Sequence, residues 1–303
     1  MVVGILGAAG FVGSNLSRLL KDDCDVVNVD SLRFGFIENL PDNCNFIQSD
    51  FKDLSQNIID SFDVIVFCAT SNIIYAMDHP LDTIKNNAVN AIEFLNRFSG
   101  KIIYTSTASV YGNADEFPTK ENAPIKLTNA YDTSKRVIEL YLEHRGNYTT
   151  LRLSNVFGSM QRSESLFCGV LGRFINSAIE SKPMEIYGSG TASRDYTYVS
   201  DVVDAIIKAI KQPSINEICN IATGIETSIN DLGKMVWKVA NKPQQYTRKE
   251  PRKIDIIDRR CLDISKAEAL LGWQPKITLD EGIKKTIAWM ESEKKSLVLP
   301  VVS

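Results

Sequence analysis

A tyrosine and a lysine stand four residues apart in the stretch Tyr131-Asp132-Thr133-Ser134-Lys135. On a helix, that spacing puts a phenol and an ammonium on one face. The ammonium favours the phenolate, which lowers the phenol pKa from about 10 and makes a usable base near neutral pH. Upstream, Thr105-Ser106-Thr107-Ala108-Ser109-Val110-Tyr111-Gly112 sets several hydroxyls at the end of a predicted strand. In an open parallel sheet, the carboxyl ends of the strands are where a ligand sits.

A second constellation lies at the N-terminus. The apolar run Val2-Val3-Gly4-Ile5-Leu6 leads into Gly7-Ala8-Ala9-Gly10-Phe11-Val12-Gly13, which opens the amphipathic run Asn15-Leu16-Ser17-Arg18-Leu19-Leu20. Strand, glycine turn and helix in this order are the context of a dinucleotide-binding turn. Glycine lets the backbone approach a pyrophosphate, whose charge then faces backbone N–H groups at the helix N-terminus. The next predicted strand, Asp25-Val26-Val27-Asn28-Val29, ends in Asp30, 17 positions after Gly13. A carboxylate there accepts hydrogen bonds from an adenosine ribose and repels a 2′-phosphate. Residue 31 is Ser, not a base, so NAD is expected over NADP; Arg33 is the nearest group that could meet a 2′-phosphate. A cationic nicotinamide beside Tyr131 would favour its phenolate further.

These groups need elements to position them. Phe46-Ile47-Gln48, Val64-Ile65-Val66-Phe67-Cys68, Lys101-Ile102-Ile103-Tyr104-Thr105 and Thr150-Leu151-Arg152-Leu153 read as further strands. Helical spacing is predicted over 81–98, from Ile84, Ala88, Ala91, Ile92, Leu95 and Phe98, and over 132–145. Strands alternating with helices imply a parallel, doubly wound α/β sheet. After residue 157 the chain is richer in turn signals, with helices expected at 202–210 and 265–271. The expected division is therefore a nucleotide-binding domain over 1–157 and a smaller substrate lobe over 158–303, some of whose segments return to the sheet.

Bulk properties narrow the class. The chain has 303 residues, 44% hydrophobic and 23% charged, with a net charge of −3. These are ordinary globular values and give no sign of a nucleic-acid or membrane surface. Cys24, Cys44, Cys68, Cys168, Cys219 and Cys261 are widely spaced and read as free thiols of a reducing compartment. The N-terminus lacks the basic stretch of a secretion signal, so a cytoplasmic location is expected. With only His79 and His144, no histidine-based metal site is expected. The apolar tail Leu297-Val298-Leu299-Pro300-Val301-Val302 is too short to span a bilayer and either packs on a neighbour or stays loose.

Seven blocks in order make the chain similar to the extended short-chain dehydrogenase/reductases, in the branch of NAD-dependent nucleotide-sugar epimerases and dehydratases. The glycine turn resembles G-x-x-G-x-x-G, and Tyr131 with Lys135 resembles Y-x-x-x-K. Thr107 falls on the catalytic Ser/Thr four residues before the Tyr of "VYG". Residues 151–158 resemble "LRxxNVYG" and residues 194–202 "RDFVYVDDV". Asp263-Ile264-Ser265-Lys266-Ala267 and Leu271-Gly272-Trp273-Gln274-Pro275 match the C-terminal "DISKA" and "LGWxP".

The resemblance implies a Rossmann-type sheet with a smaller C-terminal α/β substrate lobe, NAD as cofactor and a homodimer paired through helices 81–98 and 132–145. It implies Thr107, Tyr131 and Lys135 as catalytic residues. Gly7, Gly10, Phe11, Val12, Gly13, Asp30, Ser31, Asp50, Phe51, Cys68, Ala69, Asn87 and Thr105 would join Tyr131 and Lys135 around the cofactor. Thr107, Asn155, Leu171, Tyr187, Arg194 and Arg252 would meet a nucleotide-sugar substrate, with uridine as the implied base.

The chain also departs from the pattern. The "HLAA" strand end reads Val66-Phe67-Cys68-Ala69, and "RxGD" reads Arg252-Lys253-Ile254-Asp255. Arg260 stands where the resemblance places a residue gating the sugar pocket. The Asp-Glu pair that dehydratases of this kind keep after the catalytic Thr is here Ala108-Ser109. The expected activity is epimerisation of a UDP-hexose or UDP-uronate at C4 through a transient 4-keto sugar. The alternatives are a 4,6-dehydratase, a decarboxylase or a reductase of the same kind, and, from another class, a non-catalytic NAD(P)-binding regulatory subunit.

Overall fold

The computed structural model describes residues 1–20, 23–162, 168–252 and 256–298. Seven parallel strands form the main sheet: β1 (Val2–Leu6), β2 (Asp25–Asp30), β3 (Asn45–Gln48), β4 (Val64–Phe67), β5 (Lys101–Thr107), β6 (Tyr148–Leu153) and, after β7 (Asn155–Phe157), β8 (Met184–Tyr187) and β9 (Ser193–Tyr198), the strand β10 (Glu217–Ile221). Their spatial order is β10-β6-β5-β4-β1-β2-β3. The order reverses between β1 and β4, and an open α/β sheet leaves its ligand crevice at that point. The sheet is therefore completed by a strand from beyond residue 157. The helix Val199–Lys211 likewise packs beside Phe11–Leu20.

The strands are apolar on both faces because helices cover both. Alternate residues feed separate cores: Val3, Ile5, Val64, Val66 and Ile103 enter one, and Leu6, Ile65, Phe67, Ile102 and Tyr104 the other. The helix expected over 132–145 runs Ala130–Arg145, capped by the Asn129 side chain and ended at Gly146 with φ +76°. The segment expected as one helix over 81–98 is helical from Pro80 to Leu95, with a π turn over Lys85–Asn90. Among the described residues there are two further small sheets: β11 (Glu226–Ser228) with β9 and β7, and β12 (Tyr246–Lys249) with β8. Of the C-terminal tail, residues 299–303 lie outside the described residues.

One buried charge network ties the sheet to the helix that carries Tyr131. Arg152 on β6 meets Glu139 through two bonds, Nε to Oε1 at 2.9 Å and Nη2 to Oε2 at 2.7 Å. Ser106 Oγ donates to the same carboxylate at 2.6 Å, and Arg152 Nη1 donates to the Tyr111 hydroxyl at 2.8 Å. Tyr111 in turn donates to Asn220 on β10 at 2.7 Å. Burial pushes the Glu139 carboxyl up, but the bonds from Arg152, Ser106 and Arg136 outweigh it and hold the group below its ordinary range.

Candidate active site

A cavity of about 340 Å³ opens at the switch point between β1 and β4. Its floor is the turn after β1. Gly7 sits at φ +82°, and a Cβ there would stand 2.6 Å from Ala69 N; a Cβ on Gly13 would stand 2.2 Å from Gly7 O. Those two glycines are demanded by the packing of turn, helix and β4. Gly10 is different: an added Cβ would meet only Gly7 O, at 3.2 Å, and the residue lines the cavity. Its bare face is a cradle for something that occupies the cavity, and a pyrophosphate on backbone N–H groups fits that cradle.

The far wall comes from the end of β2. Asp30 is 7% exposed; Oδ2 accepts from Ala9 N at 2.9 Å and Oδ1 from Leu32 N at 2.8 Å. Burial raises its pKa, against both of those bonds. The carboxylate is thus held on the cavity wall, where a ribose diol is the matching partner. Arg33 also lines the cavity, but its Nη2 is bonded to Asp82 at 3.0 Å and to the Tyr75 hydroxyl at 2.6 Å, so its charge is already partnered. Ser31, Asp50, Phe51, Cys68, Ala69 and Thr105 line the same space. The residues present therefore fit NAD.

Asn87 is the exception among the expected cofactor residues. Its side chain is 4% exposed and bonded to Ser71 N, Ser71 O and Ser134 Oγ, so it braces the loop after β4 against the Tyr131 helix. Its neighbour Asn86 reaches the cavity instead, because side chains one apart on a helix point in different directions.

At the middle of the cavity, β5 and the helix Ala130–Arg145 bring Thr107, Tyr131 and Lys135 together. The Thr107 hydroxyl shares this stretch of the lining with the Tyr131 phenol and favours its ionised form. Lys135 is 2% exposed; its Nζ donates to Thr105 O at 2.8 Å and lies 5.8 Å from the Tyr131 ring centre. Here one expectation is corrected. Burial pushes Tyr131 up to about 12 in the ligand-free protein, and Lys135 itself is pushed down to about 8 by its own burial. Lys135 thus loses its proton before the phenol would ionise, so its charge is not there to offset the desolvation of the phenol.

The sugar end departs further from expectation. Leu171 is 2% exposed within a helix and belongs to the core, not to a ligand surface. Asn155 begins β7, while Ser154 and Val156 line the cavity; alternation along extended chain turns Asn155 the other way. Tyr187 and Arg252 are brought to each other, the guanidinium 4.6 Å from the ring centre, but neither lines the cavity. Arg194 lies on β9, its Nη1 bonded to Ser193 O at 2.8 Å. Arg260 joins it, because the 260 amide donates to Ser193 O at 3.2 Å. The Arg260 Nε is buried with no hydrogen-bond partner. Burial first and Arg194 second push this guanidinium down to about 10, and its charge acts on both Tyr131 and Asp132.

Wall residues that sequence reasoning missed include Phe36, Asn39, Met160, Gln161 and Arg162. Arg162 Nε donates to Asn39 Oδ1 at 3.0 Å, and the guanidinium lies 5.1 Å from the Phe36 ring centre. The pair joins residues 123 apart in sequence, a contact no local pattern announces. Ser154 and Val156 had a signal: the parity of the strand in which Asn155 lies.

Residues 3–222 match the NAD dependent epimerase/dehydratase family. The chain is 32% identical to a UDP-glucose 4-epimerase of Mycolicibacterium smegmatis over 311 residues, 96% of this chain and 99% of the relative. A crystal structure of UDP-glucose 4-epimerase from Thermotoga maritima with UDP-glucose superposes with a TM-score of 0.90 at 30% identity, covering 97% of this chain and all of that one. The Thermus thermophilus UDP-glucose 4-epimerase in complex with NAD superposes at 0.88 and 26% identity, over 96% and 98% of the two chains.

Proposed function

The chain belongs to the NAD-dependent epimerase/dehydratase family, and on that premise we propose that it is an NAD-dependent nucleotide-sugar epimerase acting at C4 of a UDP-linked sugar. The observation that carries this reading is that one cavity is lined by the bare Gly10 cradle, the Asp30 carboxylate and the Thr107/Tyr131/Lys135 set together. When bound, the nicotinamide supplies reversible oxidation at the sugar carbon. Tyr131 takes the proton of the 4-hydroxyl and returns it when the sugar is reduced on its other face. Thr107 donates to the phenolate that this requires. Lys135, anchored on Thr105 O, carries positive charge into the same wall. We assign Arg194 and Arg252 to the substrate diphosphate, since guanidinium gives forked, charge-assisted bonds to phosphate.

The reaction stops at epimerisation on this reading. Elimination needs a further acid and base over the sugar, and Ala108 supplies neither. The Ser109 hydroxyl is committed to Asp132 at 2.5 Å. Incubation with UDP-glucose, UDP-glucuronate and UDP-N-acetylglucosamine in deuterated water, followed by NMR, tests this. A C4 epimer with no deuterium at C5 or C6 is expected; deuterium at C5 with loss of water or carbon dioxide would overturn it.

Arg260 favours a narrower reading, in which the sugar is a uronate. A buried Nε without a partner, close to the catalytic phenol, suits a carboxylate at C6. The assembly we propose is a homodimer. Leu81, Val89 and Leu140 are 85%, 47% and 50% exposed on the two helical stretches that lie against each other, and apolar surface of this kind is normally covered. Light scattering at micromolar concentration tests it, a monomer being the contrary result. We also take the enzyme to work in the cytoplasm, which six cysteines that form no disulfide favour.

A further inference from the structure

Asp132 is the residue after the catalytic tyrosine, and it is wholly buried. Its carboxylate is densely bonded: Oδ2 accepts from Thr128 N at 3.2 Å, Thr128 Oγ1 at 2.7 Å and Asn129 Nδ2 at 2.9 Å. Oδ1 accepts from Ser109 Oγ at 2.5 Å. That last bond crosses between elements, from the turn after β5 to the first turn of the Tyr131 helix. The amide of the same Ser109 donates to Thr107 Oγ1 at 3.1 Å. An amide N–H can only donate, so the Thr107 oxygen is used as an acceptor on that side, and its one proton is left for the Tyr131 oxygen.

We infer that Asp132, acting through Ser109, is a positioning residue that fixes the Thr107 hydroxyl as a donor to Tyr131. This rests on the epimerase reading only for its kinetic consequences, because the hydroxyl geometry does not depend on the substrate. A displacement of about 1 Å in a reacting group costs on the order of a hundredfold in rate. Thr107 and Tyr131 sit on different elements, and the Ser109–Asp132 bond ties the first turn of the helix to the chain after β5, while Lys135 Nζ to Thr105 O and Ser106 Oγ to Glu139 tie it one and two turns further along. It also explains why a serine stands at 109. Its hydroxyl is structural currency between strand end and helix, not a proton carrier for the sugar.

Other charges act on the Tyr131 phenol. Asp132 opposes its ionisation and Arg260 favours it, Lys135 lies one turn along the same helix, and Tyr104 faces it from β5. Replacing Asp132 would alter one of those charges along with the tie. Ser109→Ala removes the tie and changes no charge, and it leaves Asp132 three of its four donors.

The experiment uses the NAD-loaded enzyme with whichever of UDP-glucose or UDP-glucuronate it turns over. A second, substrate-free reading is the ultraviolet titration of Tyr131, taken as the difference from Tyr131→Phe. Ser109→Ala is expected to lower kcat about tenfold with KM within about twofold, and to move the Tyr131 titration and the acid limb of kcat up by about one unit. In a Thr107→Val background, Ser109→Ala is expected to cost nothing more, since it acts through that hydroxyl. An unmoved titration, or an undiminished loss on the Thr107→Val background, would overturn the inference. Should Ser109→Ala not fold, Ser109→Cys, which keeps a weaker donor, is read in the same two ways. A wild-type enzyme inactive on every UDP-sugar would sink the epimerase reading, while the titration would still decide this one.

Discussion

At the cofactor end of the cavity, each wall lies within a few residues of a strand end. Gly7 to Gly13 follow β1, Asp30 ends β2, Cys68 and Ala69 follow β4, and Thr105 to Thr107 end β5. Elsewhere the lining comes from Ser154 before β7, Val156 on it and Met160, Gln161 and Arg162 after it, while Arg260, outside the lining, comes from a segment pinned to β9. The first region is rigid because the sheet that carries it is buried on both faces. The second is built by contacts between segments far apart in sequence, so its geometry depends on loops. An enzyme that oxidises and reduces one carbon in turn needs the redox partner fixed, whereas its specificity lies with the more variable end.

Tyr131→Phe strikes where the two regions meet and has the largest expected effect. Turnover should fall about a thousandfold or more, with NAD affinity unchanged, because the variant loses only the proton acceptor. The pH dependence sharpens this. The acceptor is the phenolate, so kcat must fall as pH falls through the Tyr131 pKa of the holoenzyme. In NAD-free protein, burial pushes that pKa up to about 12, so ultraviolet titration should find no Tyr131 phenolate below pH 10. Adding NAD⁺ should bring it into view at lower pH, since a cation nearby favours the ionised form. A phenolate already formed at neutral pH without NAD⁺ would mean that Lys135 sets the pKa after all.

Glu139→Gln tests the rigidity of the cofactor end. It removes one partner of a buried pair and strands the Arg152 guanidinium, which should cost about 3 kcal/mol of stability by urea unfolding. The sign with pH follows from Glu139 being held below its ordinary range. Its contribution is complete above the unfolded carboxyl pKa and is lost as pH falls through the folded one. Wild type and variant should therefore converge in stability as pH drops below about 4. A constant difference down to pH 3 would show that the residue acts by packing alone.

Much of the cofactor end was legible in the sequence because each of its residues is fixed by local backbone. A glycine turn between a strand and a helix has one geometry, and Tyr131 with Lys135 needs only a helix. The first six strands, and their parallel pairing, followed from the same alternation. Asn87 was misplaced because the π turn over Lys85–Asn90, and the loop it braces, are not visible in apolar spacing. Leu171 was misplaced because an apolar residue on an amphipathic helix looks the same whether it faces a core or a ligand. Asn155 was readable and misread: strand parity puts Ser154 and Val156 on the ligand side. The Arg260 position rests on pairing with Ser193, 67 residues away, and only folding reveals it.

Gly10→Ala separates fold from ligand within the cofactor end. Gly13→Ala should lose the fold, since its Cβ would stand 2.2 Å from Gly7 O. At Gly10 a Cβ would press only on Gly7 O, at 3.2 Å, which a shift of a few tenths of an ångström relieves, so the apoprotein should melt within a few degrees of wild type. Calorimetry should nonetheless show NAD affinity lowered about thirtyfold, roughly 2 kcal/mol for a pyrophosphate pushed off its backbone donors. Equal losses of stability and affinity would mean that the turn is a single packed unit.

The smallest expected effect lies at the sugar end, in Arg260→Ala. The guanidinium acts in two ways that a single rate does not separate. Its charge favours the Tyr131 phenolate, so its loss should slow turnover of every substrate. If it also meets a C6 carboxylate through the unpartnered Nε, its loss should penalise UDP-glucuronate alone. The ratio of kcat/KM for UDP-glucuronate to that for UDP-glucose cancels the first action and keeps the second. A charge-assisted bond of about 1.5 kcal/mol lowers that ratio roughly tenfold. Substituting Lys for Arg260 restores the charge beside Tyr131 but not the planar fork. Arg260→Lys should therefore recover the common rate more fully than the ratio. Competition kinetics with both sugars in one vessel read the ratio directly. If it is unchanged in Arg260→Ala while both rates fall, Arg260 belongs with Tyr131 and not with the sugar, and the uronate reading goes.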